Sequence, residues 1–200
     1  HNNPEETAKV FVTMNGKKYF RTGDQGHMVE SRFLQVTGRI KEQFKLENGK
    51  YVVPIPLEAL IGKSMYIAQS YIGGANCAHT IALIVPDFAN TKAWCVTQGI
   101  LQANDELTGE VLRDRRVVDF FRHEVEPAFA QMKSYERPHR WAIVEEPFSV
   151  TNQTMTPKMS LRRHNIDVHY KPIIDAIYAG TVGEQVPSTS KTRSLGEEVT

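Results

Sequence analysis

The sequence predicts an α+β fold, a compact mixed-sheet domain beginning near residue 42. Three observations predict it. Short β-rich runs alternate with turn signals as far as Val85, later stretches space their apolar residues for helices, and no internal repeat is present. The 200 residues are 40% apolar and 24% charged, ordinary proportions for a chain that builds an apolar core.

Taken in order, Pro4 to Val12 reads as a helix. It starts with Pro, carries Glu5 and Glu6 in its first turn, and has Ala8 and Phe11 as inner positions. Asn15-Gly16 signals a turn, and Lys18 to Phe20 enters a strand that Gly23 and Gly26 interrupt. Phe33 to Thr37 alternates as a second strand and ends at Gly38. This opening segment holds too few apolar residues to stand alone. Phe44 to Leu46, a turn at Asn48-Gly49, and Tyr51 to Val53, stopped by Pro54 and Pro56, follow the pattern of a hairpin.

Leu57 to Ser64 reads as a short helix. Met65 to Ile72 and Ala78 to Val85, separated by Gly73-Gly74-Ala75-Asn76, read as a second hairpin. From Arg113 to Tyr135, Val117, Val118, Phe121, Val125, Phe129 and Met132 fall at helical spacing, with Pro127 set to kink or divide the helix. Trp141 to Val144 is a strand, and Thr151 to Thr156 a polar loop. Leu161 to Tyr178 is a last helix, bent by Pro172, with Ile166, Tyr170, Ile173, Ile174 and Ile177 on one side. After Gly180 almost nothing apolar remains, and residues 181–200 are expected to form a disordered tail.

Composition excludes several classes. A net charge of +1 gives no global field for nucleic acid or anionic lipid. No run approaches the roughly 18 apolar residues of a membrane span, and the polar start is no signal peptide. Cys77 and Cys95 lack CxxC spacing and clustered His partners, so two free thiols in a reducing compartment are expected in preference to a disulfide. His164 and His169 lie five apart, which misses the helical i, i+4 geometry, and no metal site is assigned.

Three features carry chemistry. Asp24, presented between Gly23 and Gly26, accepts hydrogen bonds from a vicinal diol such as a ribose, or else caps its own turn. Arg39, in Gly38-Arg39-Ile40-Lys41, is placed at a strand end to meet a phosphate or ribose, or else is a solvated charge. Lys158, with Arg162 and Arg163 nearby, neutralises phosphate charge or forms the basic start of a helix.

Together and in order, these features carry a resemblance. Tyr19 to Gly26 (YFRTGDQG) followed by Phe33 to Leu46 (FLQVTGRIKEQFKL) resembles the conserved stretch of adenylate-forming enzymes. The wording from Gly38 to Pro54 is similar to long-chain fatty acyl-CoA synthetases and their acyl-carrier-protein-charging relatives. Residues 1–8, Ala82 to Asp87, Tyr135 to Pro138 and the stretch from Thr156 to Arg163 agree, so the resemblance covers roughly residues 1–180.

The resemblance implies the following. Residues 1–40 are the end of the large AMP-binding domain and the approach to a hinge; 41–180 are the mobile C-terminal domain, which rotates between two half-reactions. A fatty acid and ATP-Mg2+ give acyl-AMP and pyrophosphate, and the thiol of CoA, or of an acyl carrier protein, then displaces AMP. Asp24 matches the acid that holds the ribose hydroxyls and Arg39 the basic contact to ribose and phosphate. Lys41 sits at the hinge; Lys45 and Gly49 lie on the loop that approaches the acyl-adenylate and the pantetheine arm. The family's adenylation lysine has a different residue here: the expected position is Ser160, and Lys158 stands two residues earlier, on the same side if the segment is extended.

The phosphate loop and acyl tunnel are placed upstream of residue 1, so this piece alone is expected to be inactive and to bind no cofactor tightly. Its missing N-terminal domain is its first partner. An intracellular location is implied, cytosolic or on the cytosolic face of a membrane, with no anchor in this piece. A non-catalytic descendant that binds lipid or nucleotide is the alternative.

Overall fold

The structure, a computed structural model, describes residues 2–185. Asn3 caps the first helix, α1 (Pro4–Val10), by accepting from the Glu6 amide at 3.1 Å. The chain turns extended at Phe11, so Val12, expected in the helix, belongs to strand β1 (Phe11–Met14), which pairs with β2 (Lys17–Phe20). A second antiparallel ribbon joins β3 (Asp24–Val29) to β4 (Phe33–Arg39). Phe20, Met28, Phe33, Leu34 and Val36 are all exposed on these ribbons, which bury nothing substantial of their own.

A short 3-10 turn, Ile40–Glu42, leads into a small hairpin of β5 (Phe44–Lys45) and β6 (Tyr51–Val52). The helix expected over Leu57 to Ser64 is α2 (Pro54–Ile61). Pro54 and Pro56, read as strand terminators, occupy its first turn, where a missing N–H costs no helical bond.

The centre of the domain is a sheet of β7 (Ile67–Gly73), β8 (Ile81–Pro86), β9 (Arg140–Ile143) and β10 (Glu184–Gln185), in the spatial order β10-β9-β8-β7. β7 and β8 pair antiparallel, β8 and β9 parallel, and β9 and β10 antiparallel, the mixed sheet of an α+β domain. Every residue of β8 is buried, because helices cover both faces. Ala82 and Ile84 face α2 and the core residues Phe121, Val125 and Trp141, whereas Ile81, Leu83 and Val85 face Ile166, Tyr170 and Ile177.

The connection from β8 to β9 contains a helix the sequence did not reveal, α3 (Phe88–Thr97). Asp87 caps it through the Asn90 amide at 2.9 Å, but its apolar residues Ala93 to Val96 run consecutively and show no helical spacing. The long amphipathic stretch divides: α4 (Gly109–Leu112) stands apart, and α5 (Arg115–Ala130) runs through Pro127 undivided and ends well before Tyr135. Pro172 does more than bend the last helix. It opens α7 (Lys171–Ala179), separate from α6 (Arg163–His169).

The boundary expected at residue 180 also shifts. Gly180 ends α7 in the left-handed conformation (φ 76°), and Glu184 then pairs with Trp141 at the sheet edge. The rest of the expected tail, 186–200, lies outside the described residues. Cys77 is half-buried and Cys95 buried, and both are free thiols.

Candidate functional site

Asp24 and Arg39 are direct partners across the β3–β4 ladder, and Arg39 Nε donates to Asp24 Oδ1 at 3.1 Å. A bulge between Gln25 and Gly26 makes this pairing. Beyond the bulge Gly26 faces Val36; without the one-residue shift, Asp24 would face Gly38. Gly26 also allows close approach, since a Cβ there would sit 2.7 Å from the Gln35 carbonyl oxygen. The Thr22 hydroxyl accepts from the Asp24 amide at 3.1 Å, and the Ile40 amide donates to the Gly23 carbonyl at 2.9 Å. The Arg39 side chain is 63% exposed and that of Asp24 35%. The pair is open to solvent and contributes little to stability. Among the described residues the second oxygen of the Asp24 carboxylate and the outer nitrogens of the Arg39 guanidinium show no hydrogen bond, an arrangement that suits a diol next to an anion.

Lys41 lies in the 3-10 turn directly after this ladder and is exposed. Lys45 is exposed on β5. Gly49 sits in the hairpin turn at φ +86°, a conformation that strains any L side chain, and its Cα-borne space opens onto Lys45 Cε, 3.8 Å from an added Cβ. The hairpin is fixed from below: the Asn76 amide donates to the Lys45 carbonyl at 2.8 Å, and the Glu47 amide to the Cys77 carbonyl at 3.0 Å.

Lys158 lies apart. Residues 156–160 form a tight loop closed by Thr156 N–H to the Ser160 carbonyl at 2.8 Å and Met159 N–H to the Thr156 carbonyl at 2.8 Å, above a bridge between Met155 and Leu161. The segment is a turn, with Met159 at φ 61°, so the extended alternation that put Lys158 on the side of Ser160 does not apply. Among the described residues no hydrogen bond or ion pair links Lys158 to Asp24, Arg39, Lys41 or Lys45.

Arg163 is not a spare cation. Its fork grips Glu58 through Nη1–Oε1 at 2.9 Å and Nη2–Oε2 at 2.7 Å, while Glu58 Oε1 also accepts from the Ile72 amide at 2.8 Å. The Tyr71 ring lies 5.5 Å away, and its hydroxyl donates to Asp167 at 2.6 Å. Burial, then the Asp167 charge, holds the Tyr71 phenol far above its ordinary range. Sequence reasoning missed this cluster, because Glu58 and Arg163 are 105 residues apart and no local spacing connects them. Burial next to the Glu146 charge likewise pushes Tyr170 up to about 12.

The fold is that of the C-terminal domain of an adenylate-forming enzyme. It matches the adenylation domain of a carboxylate reductase from Mycobacterium chelonae with TM-score 0.66 and 22% identity, over 90% of this chain and 25% of that one. A carboxylic acid reductase domain from Segniliparus rugosus, solved with AMP and a co-purified carboxylic acid, matches with TM-score 0.65 and 23% identity over 90% of this chain and 26% of its own. The chain belongs to the AMP-binding enzyme C-terminal domain family, whose profile matches residues 41–182.

Its sequence is similar to long-chain-fatty-acid–CoA ligase 1 of Cavia porcellus, 27% identical over 88% of this chain and 25% of the ligase. It is also similar to the peroxisomal acyl-CoA ligase 891 of Penicillium roqueforti, 30% identical over 96% of this chain and 28% of that protein. The chain thus spans about a quarter of the length of the curated relatives it matches.

Proposed function

We propose that this chain is the C-terminal part of a fatty acid–CoA ligase that makes acyl-CoA, AMP and pyrophosphate from a long-chain fatty acid, ATP and CoA through an acyl-adenylate. The observation that carries the proposal is the bulge-set pairing of Asp24 with Arg39 immediately before the 3-10 turn. Similarity to named fatty-acid–CoA ligases supplies the substrate class.

In this reading residues 1–40 end the large domain, Lys41 is the hinge, and the domain beyond it rotates. Asp24 takes the ribose hydroxyls and Arg39 the neighbouring anion. Lys45 and Gly49 meet the acyl-adenylate and the pantetheine arm, the bare Gly49 leaving width for a thin chain. Lys158 supplies positive charge to the α-phosphate from an exposed loop. Mg2+ enters with ATP, whose phosphates it neutralises. The protein acts in the cytosol or on the cytosolic face of a membrane, close to its lipid substrate; none of the described helices is long and apolar enough to cross a bilayer.

The test is fatty-acid-dependent pyrophosphate release and acyl-CoA formation by the full-length protein. Release without thioester formation on CoA, but with acyl transfer to an acyl carrier protein, would redirect the second step. One observation favours a second reading: Ser160 stands where the resembling family places its lysine, and the 156–160 turn separates it from Lys158. A protein that binds AMP or acyl chains but releases no pyrophosphate would be a non-catalytic descendant.

A further inference from the structure

Arg163 has five N–H donors, and the structure satisfies them unequally. Nη1 and Nη2 are held by Glu58, and Nη1 also lies 3.4 Å from the Ile72 carbonyl. Nε is buried and has no hydrogen-bond partner among the described residues. The carboxylate facing it is Glu42, with Oε2 at 4.0 Å, beyond hydrogen-bond reach. Glu42 is the last residue of the 3-10 turn, next to Lys41.

On its other side Arg163 opens α6 immediately after the loop that carries Lys158. The Arg162 amide donates to the Thr154 carbonyl at 2.8 Å, and Leu161 bridges Met155, so the base of the loop is bonded to the residues that precede Arg163. Tyr71, beside the guanidinium, holds α6 a second time through Asp167. The β5–β6 hairpin is hydrogen-bonded to Asn76 and Cys77 and packs through Leu46 and Val52 into the core; among the described residues no hydrogen bond or ion pair joins it to this cluster.

We infer that Arg163 is a positioning residue that ties the turn at Lys41 to the loop at Lys158, through Glu42 on one side and the start of α6 on the other. Closing the Glu42 gap by about 1 Å makes a charge-assisted hydrogen bond and satisfies the buried Nε donor. Movement of the turn is thereby transmitted to the 156–160 loop and not to the hairpin with Lys45 and Gly49. The activity arm of the test rests on the proposed ligase function; the structural arm does not.

The experiment compares full-length wild type with Glu42→Gln and Arg163→Lys, the second keeping a charge for Glu58 but losing the Nε donor. Amide hydrogen exchange is followed in peptides covering residues 39–43, 44–52 and 154–162. Glu42→Gln is expected to raise exchange about threefold or more at both 39–43 and 154–162 while leaving 44–52 unchanged. Adenylation from fatty acid and ATP is expected to fall about three- to tenfold, with thioester formation from supplied acyl-AMP within about twofold of wild type. Exchange that rises only at 39–43, or nowhere, overturns the coupling, as does an equal fall in both half-reactions. Should Arg163→Lys unfold the protein, Glu42→Gln, at a partly exposed site, still decides. A wild type inactive in both half-reactions refutes the ligase function, and the exchange data still judge the coupling.

Discussion

Asp24 faces Arg39 only because the β3–β4 ladder carries a bulge one residue further in, between Gln25 and Gly26. An unshifted register would set the carboxylate against Gly38 and send the two charges to opposite faces of the ribbon. The juxtaposition is a property of the backbone register, and it uses Gly26 because only a residue without Cβ clears the Gln35 carbonyl.

In the full-length protein, Asp24→Ala is expected to weaken ATP use about ten- to a hundredfold, the worth of a hydrogen bond to a charged group. Thermal stability should hardly change, because the Asp24–Arg39 pair is solvent-exposed. Steady-state kinetics with varied ATP, beside a melting curve, measure both. Unchanged ATP kinetics remove Asp24 from the nucleotide site.

Lys158→Ala is expected to slow acyl-adenylate formation on the order of 100- to 1000-fold, the cost of one charged donor at a developing charge. Thioester formation from supplied acyl-AMP should stay near native, and Ser160→Ala should be mild in both steps. Separate assays of the half-reactions decide; equal, native rates in both variants leave Arg162, the exposed neighbour, as the next cation to test, since Arg163 is committed to Glu58.

Gly49→Ala places a side chain at φ +86° and is expected to destabilise the hairpin by about 1 kcal/mol. The thioester step should suffer more than adenylation, because the pantetheine arm is proposed to pass there. A mutant that loses both steps equally would assign Gly49 to folding alone.

Truncation after Gly180 removes β10 and the ion pair between Glu184 and Arg122. Loss of about 1 kcal/mol is expected relative to a chain truncated after Gln185, measured by melting curves. A stable core ending at 180 would show that the short edge strand contributes nothing.

Burial, followed by the nearby His139 and Arg140 charges, lowers the pKa of His79 below its ordinary 6.5. A base with a depressed folded pKa binds its proton more readily when unfolded. The folded state is therefore favoured above about pH 6.5 and loses stability as the pH falls below it. His79→Asn should flatten the acid side of the melting-temperature profile between the two pH limits 7.5 and 5.5. An unchanged slope would place the acid sensitivity elsewhere.

Local chemistry made much of this protein legible from sequence alone. Asn15-Gly16 and Asn48-Gly49 mark their turns because few residues tolerate a positive φ, and Val117, Phe121, Val125 and Phe129 mark α5 because one face of a helix is buried. The motif around Asp24 and Arg39 was readable as chemistry for the same reason: a carboxylate and a guanidinium keep their properties wherever the chain places them. Tertiary structure decided the rest. It made Pro54 a helix start instead of a strand end, and folded α3 despite its unspaced apolar run, because burial against the sheet outweighs local pattern. It drew Glu58 to Arg163 across 105 residues and added Glu184 to the sheet edge. It also curled the Lys158 segment into a turn, whereas Lys158 and Ser160 share a side only if that segment is extended. Local propensities reach only a few residues, whereas register, burial and ion pairing between distant segments exist only once the chain has closed on itself.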